Sequence, residues 1–307
     1  MPAILTSLAL AAGAAYGVRQ FAAWRREREC ARRLPLGPDG VMRGGEAFTL
    51  RPVPPRHDAT VLLLHGFGDT PAALRYLGEH LAAQGWPVRA PLLPGHGRTL
   101  REFARSGAEQ WVDAARTELE EALRAGPVHL VGLSMGGALA ALLAADDAWR
   151  RRILSLTLLA PYLEMPRPVR RLAVSHRLLS LAVPYADARG ERSIHDPVEA
   201  ARSVSYGIVT PRLLSELLAL SIRARDALPR VSAPTLYMQS RLDNRLTSQG
   251  AEAAFARLGS TDKRLEWLEG CGHIVTVDYG RERVFEEVTR WLETHGAATR
   301  ERSLTPR

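Results

Sequence analysis

The chain has 307 residues, 46% hydrophobic and 24% charged, a balance that buries a core and excludes a disordered or fibrous protein. The net charge is +8, yet Lys263 is the only lysine and no nucleic-acid motif accompanies the arginines, so no nucleic-acid partner is expected. Cys30 and Cys271 are too few and too far apart for a disulfide framework or a metal site; two free thiols in a reducing compartment, with no metal and no cofactor, are expected.

Residues 1–24 contain the uncharged, apolar run "AILTSLALAAGAAYGV", followed by Arg19, Arg25, Arg26, Arg28, Arg32 and Arg33. A secretory signal carries its cations before the apolar run, so this order argues against one. The run is also at the short limit for the ~20 residues a membrane span needs. Its readings are a membrane or interfacial anchor, a signal peptide, or a loose helix. As an anchor, with arginines behind it, it would hold a cytoplasmic body on the inner membrane face. Residues 25–45 are basic and end in "LPLGPDGVMRGG", which reads as a linker, so ordered structure is expected from about Glu46.

Downstream, "ATVLLLHGFGD" predicts a buried strand ending in a glycine turn, and "TPAALRYLGEHLAAQG" a helix stopped by Gly85. "WPVRAPLLPGHG" predicts a short strand and a Gly/Pro loop, and "SGAEQWVDAARTELEEALRAG" an amphipathic helix. "PVHLVGL" and "ILSLTLLAP" predict strands on either side of a small-residue helix, "MGGALAALLAADD". The later strands are "APTLYMQS" and "KRLEWLEG", each followed by a helical segment. Strands alternating with helices predict an α/β fold, a mostly parallel central sheet flanked by helices. Residues 162–225 interrupt the alternation with short helical patterns and no clear strand, which predicts a small helical cap on a core formed by 46–161 and 226–296. Residues 297–307 read as a polar tail.

"GLSMG", Gly132 to Gly136, places Ser134 at a strand-to-helix junction, the setting a nucleophile elbow requires. Gly132 and Gly136 remove the side chains that such a sharp turn would not accommodate. A serine hydroxyl needs a base and an orienting acid. His273 in "EGCGHIV" and Asp243 in "MQSRLDNRL" each follow a late strand, and Ser134, Asp243, His273 is the chain order this architecture demands. The backbone N–H groups of Phe67, after "LLHG", and Met135 are the candidate oxyanion donors. His96 in "LLPGHG" precedes the serine on another loop and is read as structural. Leu172, Leu178, Leu213 and Leu217 in the cap are read either as lining an apolar acyl tunnel or as cap core.

The motifs "LLHGFGDTP", "LLPGHG", "GLSMGG", "LLAPYLEMP", "MQSRLDNRL" and "GCGHIVTVDYGRERVFEEVTRWL" resemble the α/β-hydrolase superfamily, within it the bacterial carboxylesterase and monoacylglycerol lipase group. The resemblance runs from about Ala59 to Gly296. It implies Ser134 as nucleophile, Asp243 as acid, His273 as base, the Phe67 and Met135 amides as oxyanion hole, and a serine hydrolase of medium- or long-chain carboxylic or glycerol esters. The expected partner is a small-molecule or lipid ester. The alternatives are a thioesterase or carbon–carbon bond hydrolase of the same fold, or a non-catalytic binding protein. Ser240 stands where many members have glycine or alanine, and the cap is the weakest match.

Overall fold

The computed structural model describes residues 2–188 and 193–304. Its first element is a helix, α1 (Pro2–Arg33), followed by β1 (Phe48–Leu50), β2 (Thr60–Leu64), α2 (Arg75–Ala83) and β3 (Val88–Ala90). Next come α3 (Leu100–Arg105), α4 (Ala108–Ala125), β4 (Val128–Leu133), α5 (Met135–Ala144) and β5 (Ile153–Leu159). The cap region holds α6 (Arg167–Val174), α7 (His176–Ala182), β6 (Ala186–Asp187), α8 (Pro197–Arg202), β7 (Ile208–Val209) and α9 (Pro211–Ala227). The chain closes with β8 (Thr235–Ser240), α10 (Ser248–Arg257), β9 (Lys263–Leu268) and α11 (Arg281–Leu304).

Seven strands form one sheet in the order β1-β3-β2-β4-β5-β8-β9, parallel throughout except that β1 runs antiparallel to β3. Side chains alternate along a strand, so each central strand feeds two cores. Leu62 and Leu64 of β2 join Leu130 of β4 and Leu156 of β5 beneath α4 and α9. Val61 and Leu63 join Val131, Leu133 and Leu159 against Leu77 and Leu81 of α2 and Val284 and Leu292 of α11. Burial on both faces is why these strands read as nearly continuous apolar runs.

Local signals set the helix ends. Thr99 and Glu102 form a reciprocal capping box at the start of α3. Thr210 caps α9 through the Leu213 N–H with Pro211 in the first turn, and Asp196 caps α8.

The segment expected as a linker is not one. Helix α1 runs through Arg33, and Cys30, Leu34 and Met42 are buried in the core. Buried apolar side chains seat a stretch whose composition reads as loop. Among the described residues no helix is long and apolar enough to cross a membrane; the side chains at the extreme N-terminus of α1 lie outside the described residues. At the other end α11 continues to Leu304, into the segment read as a polar tail, and residues 305–307 lie outside the description.

The cap is not purely helical either, since β6 and β7 pair antiparallel within it; residues 189–192 lie outside the described residues. Two residues per strand are too few for a periodicity to show. Leu213 and Leu217 of α9 are core residues, whereas Leu172 and Leu178 are 48% and 72% exposed. Helix α9 packs on α5 and α4 and so belongs to the layer that supports the sheet.

Candidate active site

Four strand ends converge at the carboxyl edge of the sheet, where open α/β folds place their ligands. Ser134 sits between β4 and α5 with φ 54 and ψ −115, a conformation that L-residues rarely adopt. The turn holds because its neighbours lack side chains. A Cβ on Gly136 would lie 1.9 Å from the Leu64 carbonyl oxygen, and one on Gly132 would lie 2.2 Å from that of Gly136. The Ser134 N–H donates to Leu159 O (2.9 Å), and Ser134 O accepts from the amides of Gly137 and Tyr162 (both 2.9 Å). The backbone is thereby fixed while the hydroxyl stays at the surface of the turn.

His273 Nε2 lies 2.8 Å from Ser134 Oγ, and His273 Nδ1 lies 2.8 Å from Asp243 Oδ2. The three residues that the sequence places 139 and 30 positions apart thus form one chain of hydrogen bonds. Asp243 also accepts from Gln239 Nε2 (2.7 Å) at Oδ2, and from the amides of Arg245 (2.7 Å) and Leu246 (3.0 Å) at Oδ1. Burial pushes this carboxyl upward, but His273 and the two amides together outweigh it and hold the group below the ordinary carboxylate value. An ionised Asp243 keeps the His273 proton on Nδ1, which leaves Nε2 to accept from the serine hydroxyl.

Phe67 and Met135 lie on the two segments that border Ser134. Met135 opens α5, so its N–H is outside the helical hydrogen-bond ladder. Phe67 follows Gly66, where a Cβ would sit 3.3 Å from Ser134 Cβ, so the loop passes close to the nucleophile. The loop is held from below by His65. Its Nδ1 bonds Gly66 O (2.9 Å), and its Nε2 accepts from Leu93 N (3.1 Å). Burial pushes His65 down to about 4, and the neutral ring is the form that supports this acceptor role. His96 is fully buried against His65, Phe67, Phe103 and Trp111.

Several further residues hold the loops around the site. Asp278 is 2% exposed and accepts from four backbone N–H groups: Gly272 (2.7 Å), His195 (2.8 Å), Asp196 (2.9 Å) and Tyr279 (2.8 Å). One carboxylate therefore joins the His273 loop to the cap. Ser240 Oγ donates to Cys271 O (2.5 Å) and accepts from Leu242 N (3.0 Å), tying the Asp243 loop to the His273 loop. Tyr206, on the returning arm of the cap, donates its N–H to Gly68 O (2.9 Å) and stacks on Phe103 at 4.4 Å. Of these, the sequence reading notes only Ser240, by its departure from the resemblance; Asp278 lies inside the "GHIVTVD" run without standing out there, and Tyr206 has no sequence signal.

The arrangement can activate a hydroxyl for attack on a carbonyl. Comparison with known proteins agrees with the fold. A carboxylesterase of Bacillus subtilis (strain 168) is 27% identical over 239 residues, 77% of this chain and 93% of that protein. A thermostable monoacylglycerol lipase of Bacillus sp. (strain H-257) is 26% identical over 260 residues, 83% of this chain and 97% of that protein. A structure from work on the metagenome-derived lipolytic enzymes LipS and LipT superposes with a TM-score of 0.70 at 29% identity, covering 83% of this chain and all of that one. The model of the Hydrolase_4 family, described as serine aminopeptidase S33, matches residues 55–279. With that match over most of its length and the mostly parallel, helix-flanked sheet that carries it, the chain belongs to this family of the α/β-hydrolase superfamily.

Proposed function

We propose that the chain hydrolyses carboxylic esters through an acyl-enzyme on Ser134. His273 Nε2 takes the hydroxyl proton as Ser134 Oγ attacks the ester carbonyl carbon. The resulting oxyanion is received by the Phe67 and Met135 amides. Collapse breaks the carbonyl carbon–alkoxy bond, and the alcohol leaves with the proton from His273. Water then repeats the path, and the acid and free Ser134 result. The single observation that carries this reading is the continuous Ser134–His273–Asp243 hydrogen-bond chain, with both links at 2.8 Å. The named relatives support an ester rather than a peptide as substrate, since they are a carboxylesterase and a monoacylglycerol lipase. The division into a core of residues 46–161 and 226–296 and a cap of residues 162–225 is part of the same reading, with α9 packing on both the core helix α5 and the cap helices α6 and α7.

A fluorophosphonate probe tests it. Wild type is expected to label and Ser134→Ala is not; equal labelling of both would refute the assignment. Turnover of matched oxygen esters, thioesters and amino-acyl amides separates esterase from thioesterase and aminopeptidase action.

We also propose that α1 and the cap rest on an anionic lipid surface on the cytoplasmic face of a membrane. Tyr16, Phe21 and Trp24 of α1 and Leu172, Leu178 and Leu181 of the cap are exposed. The two groups are linked by Arg19 Nε donating to Ser180 O (3.1 Å) and Tyr185 OH donating to Glu27 (2.9 Å). Exposed Arg25, Arg28, Arg170, Arg171 and Arg177 on the same elements supply the complementary charge. Co-sedimentation with phosphatidylglycerol vesicles, and not with phosphatidylcholine vesicles, is expected. Binding to neither would refute it.

A further inference from the structure

The Asp243 carboxylate is engaged at both oxygens. Its side chain is fully buried, and among the described residues it takes four donors. The amides of Arg245 and Leu246 occupy Oδ1. Oδ2 is shared, with His273 Nδ1 at 2.8 Å and Gln239 Nε2 at 2.7 Å. The two amides come with the turn of the loop, since they lie just beyond Asp243 in the chain. The Gln239 side chain does not. It projects from β8, in register with Trp267 of β9, and so meets the loop carboxylate from a strand held on both sides by the sheet.

Gln239 is 0% exposed, and among the described residues no donor meets its Oε1. Turning the amide over would set Oε1 against Asp243 Oδ2, oxygen against oxygen, so Nε2 must face the carboxylate. A buried carbonyl without a donor costs stability, and methionine, of nearly the same length, would fill the space without that cost. Packing therefore does not account for an amide at this position. Beyond a long contact to Ser240 O at 3.5 Å, its one hydrogen bond is to the triad acid.

That bond acts on the base. A carboxylate oxygen that already accepts one hydrogen bond has less charge to offer a second donor. His273 becomes an imidazolium as it takes the Ser134 proton, and the pull of Oδ2 on Nδ1–H decides how firmly that proton is held. The other ionisable groups near the carboxylate are Tyr162, Tyr237, Arg245 and Cys271, with Glu164 and Asp278 beyond them. Burial pushes Tyr162 up to about 12 and raises Tyr237 and Cys271 as well. Arg245 is committed to Ser193 Oγ (3.0 Å) and Ala188 O (2.8 Å), and Asp278 to its backbone donors. Among the described residues only His273 and Gln239 donate to Oδ2.

We propose that Gln239 is a positioning residue of the triad: by holding part of Asp243 Oδ2 it limits the grip of the acid on the His273 proton and so sets the acid edge of the activity. The inference rests on the ester-hydrolase reading and adds to it the side chain that tunes the acid. Gln239 touches neither the ester nor the nucleophile.

The test measures kcat/KM for a nitrophenyl ester against pH in wild type, Gln239→Met and Gln239→Leu. Both variants remove the donor, and they differ in length, so a shift common to both does not come from packing. With the donor gone the base stays protonated to higher pH, and the midpoint of the acid limb is expected to rise by about one pH unit, the scale of one hydrogen bond to an ionised group. The low-field proton NMR signal of His273 Nδ1–H is expected to move further downfield in both. An acid limb and a signal unmoved in both variants overturn the proposal, and a lowered Tm beside them would show a packing role only. If wild type hydrolyses no ester, the hydrolase reading fails, and the Nδ1–H signal alone then decides for or against Gln239.

Discussion

Asp278 Oδ2 holds the Gly272 N–H at 2.7 Å, and through that bond the cap and the catalytic histidine share one anchor. The same oxygen takes the amide of His195, and Oδ1 takes that of Asp196. The 193–196 stem cannot lift from the core without stripping a buried carboxylate of donors, which costs several times more than breaking an exposed contact. Asp278 is therefore a positioning residue. Asp278→Asn, which keeps the shape but replaces one acceptor by a donor facing N–H groups, is expected to lower kcat about tenfold or more with a smaller change in KM. The rate of fluorophosphonate labelling at Ser134, measured well below the unfolding temperature, should fall in parallel. A purely structural role would lower Tm and leave that rate unchanged.

The orienting acid is expected to matter more. Asp243→Asn removes the carboxylate that keeps the His273 proton on Nδ1, and a loss of kcat on the order of 10⁴ follows from the tautomer alone. Steady-state kinetics with a nitrophenyl ester measures it. A loss under tenfold would remove Asp243 from its role.

Close backbone contact and unusual backbone torsion make different demands on glycine, and two positions separate them. Gly136→Ala drives a Cβ into the Leu64 carbonyl and is expected to destabilise the fold by several kcal/mol or prevent folding. Gly270 has φ +78 with nothing within 4 Å of a built Cβ, so Gly270→Ala pays only the torsional cost, roughly 1–2 kcal/mol. Urea unfolding of the two variants checks the order.

Buried histidines set the acid limit. Burial lowers His65 to about 4 and His129 to about 3, and lowers His96 well below 6.5. Between those values and 6.5 the unfolded chain binds protons that the folded chain does not, so stability falls as pH drops through this window. Asp69, raised to about 7, acts the other way: the stability it contributes is lost as pH rises through about 7. Three histidines outweigh one carboxyl, and a loss on the order of a few kcal/mol is expected between pH 6.5 and about 4.5. Unfolding free energies from urea titrations across that range test the sign; constant stability would contradict it.

Tyr206 joins three parts of the molecule. Its hydroxyl accepts from Arg98 N (3.0 Å) and faces the carbonyls of Gly95 (3.0 Å) and Arg98 (2.8 Å), while Arg33 of α1 donates to the Tyr206 carbonyl. Tyr206→Phe keeps the stack on Phe103 and leaves the Arg98 amide without its acceptor, a cost of about 1–3 kcal/mol. Differential scanning calorimetry of the variant is expected to show a lowered Tm.

The linker region and the cap show where local reading stops. "LPLGPDGVMRGG" has a loop's composition, and it does form turns, but Leu34, Val41 and Met42 find buried positions because the preceding helix brings them there. Leu213 and Leu172 sit in similar helical patterns; α5 lies beneath the first and solvent over the second. Nothing in either segment encodes that difference, since burial depends on a neighbour distant in the chain.

By itself the sequence determined the alternation of strand and helix, the glycines that make the Ser134 turn, and the order Ser134, Asp243, His273. These are local properties, because period, backbone torsion and motif context are carried by adjacent residues. Tertiary structure alone decided that Asp278 ties the cap to the histidine loop, that Tyr206 reaches the 65–68 loop, and that α1 is seated on the core. Each depends on which buried hydrogen-bond partners the packed chain does and does not provide across more than a hundred residues or between separate elements.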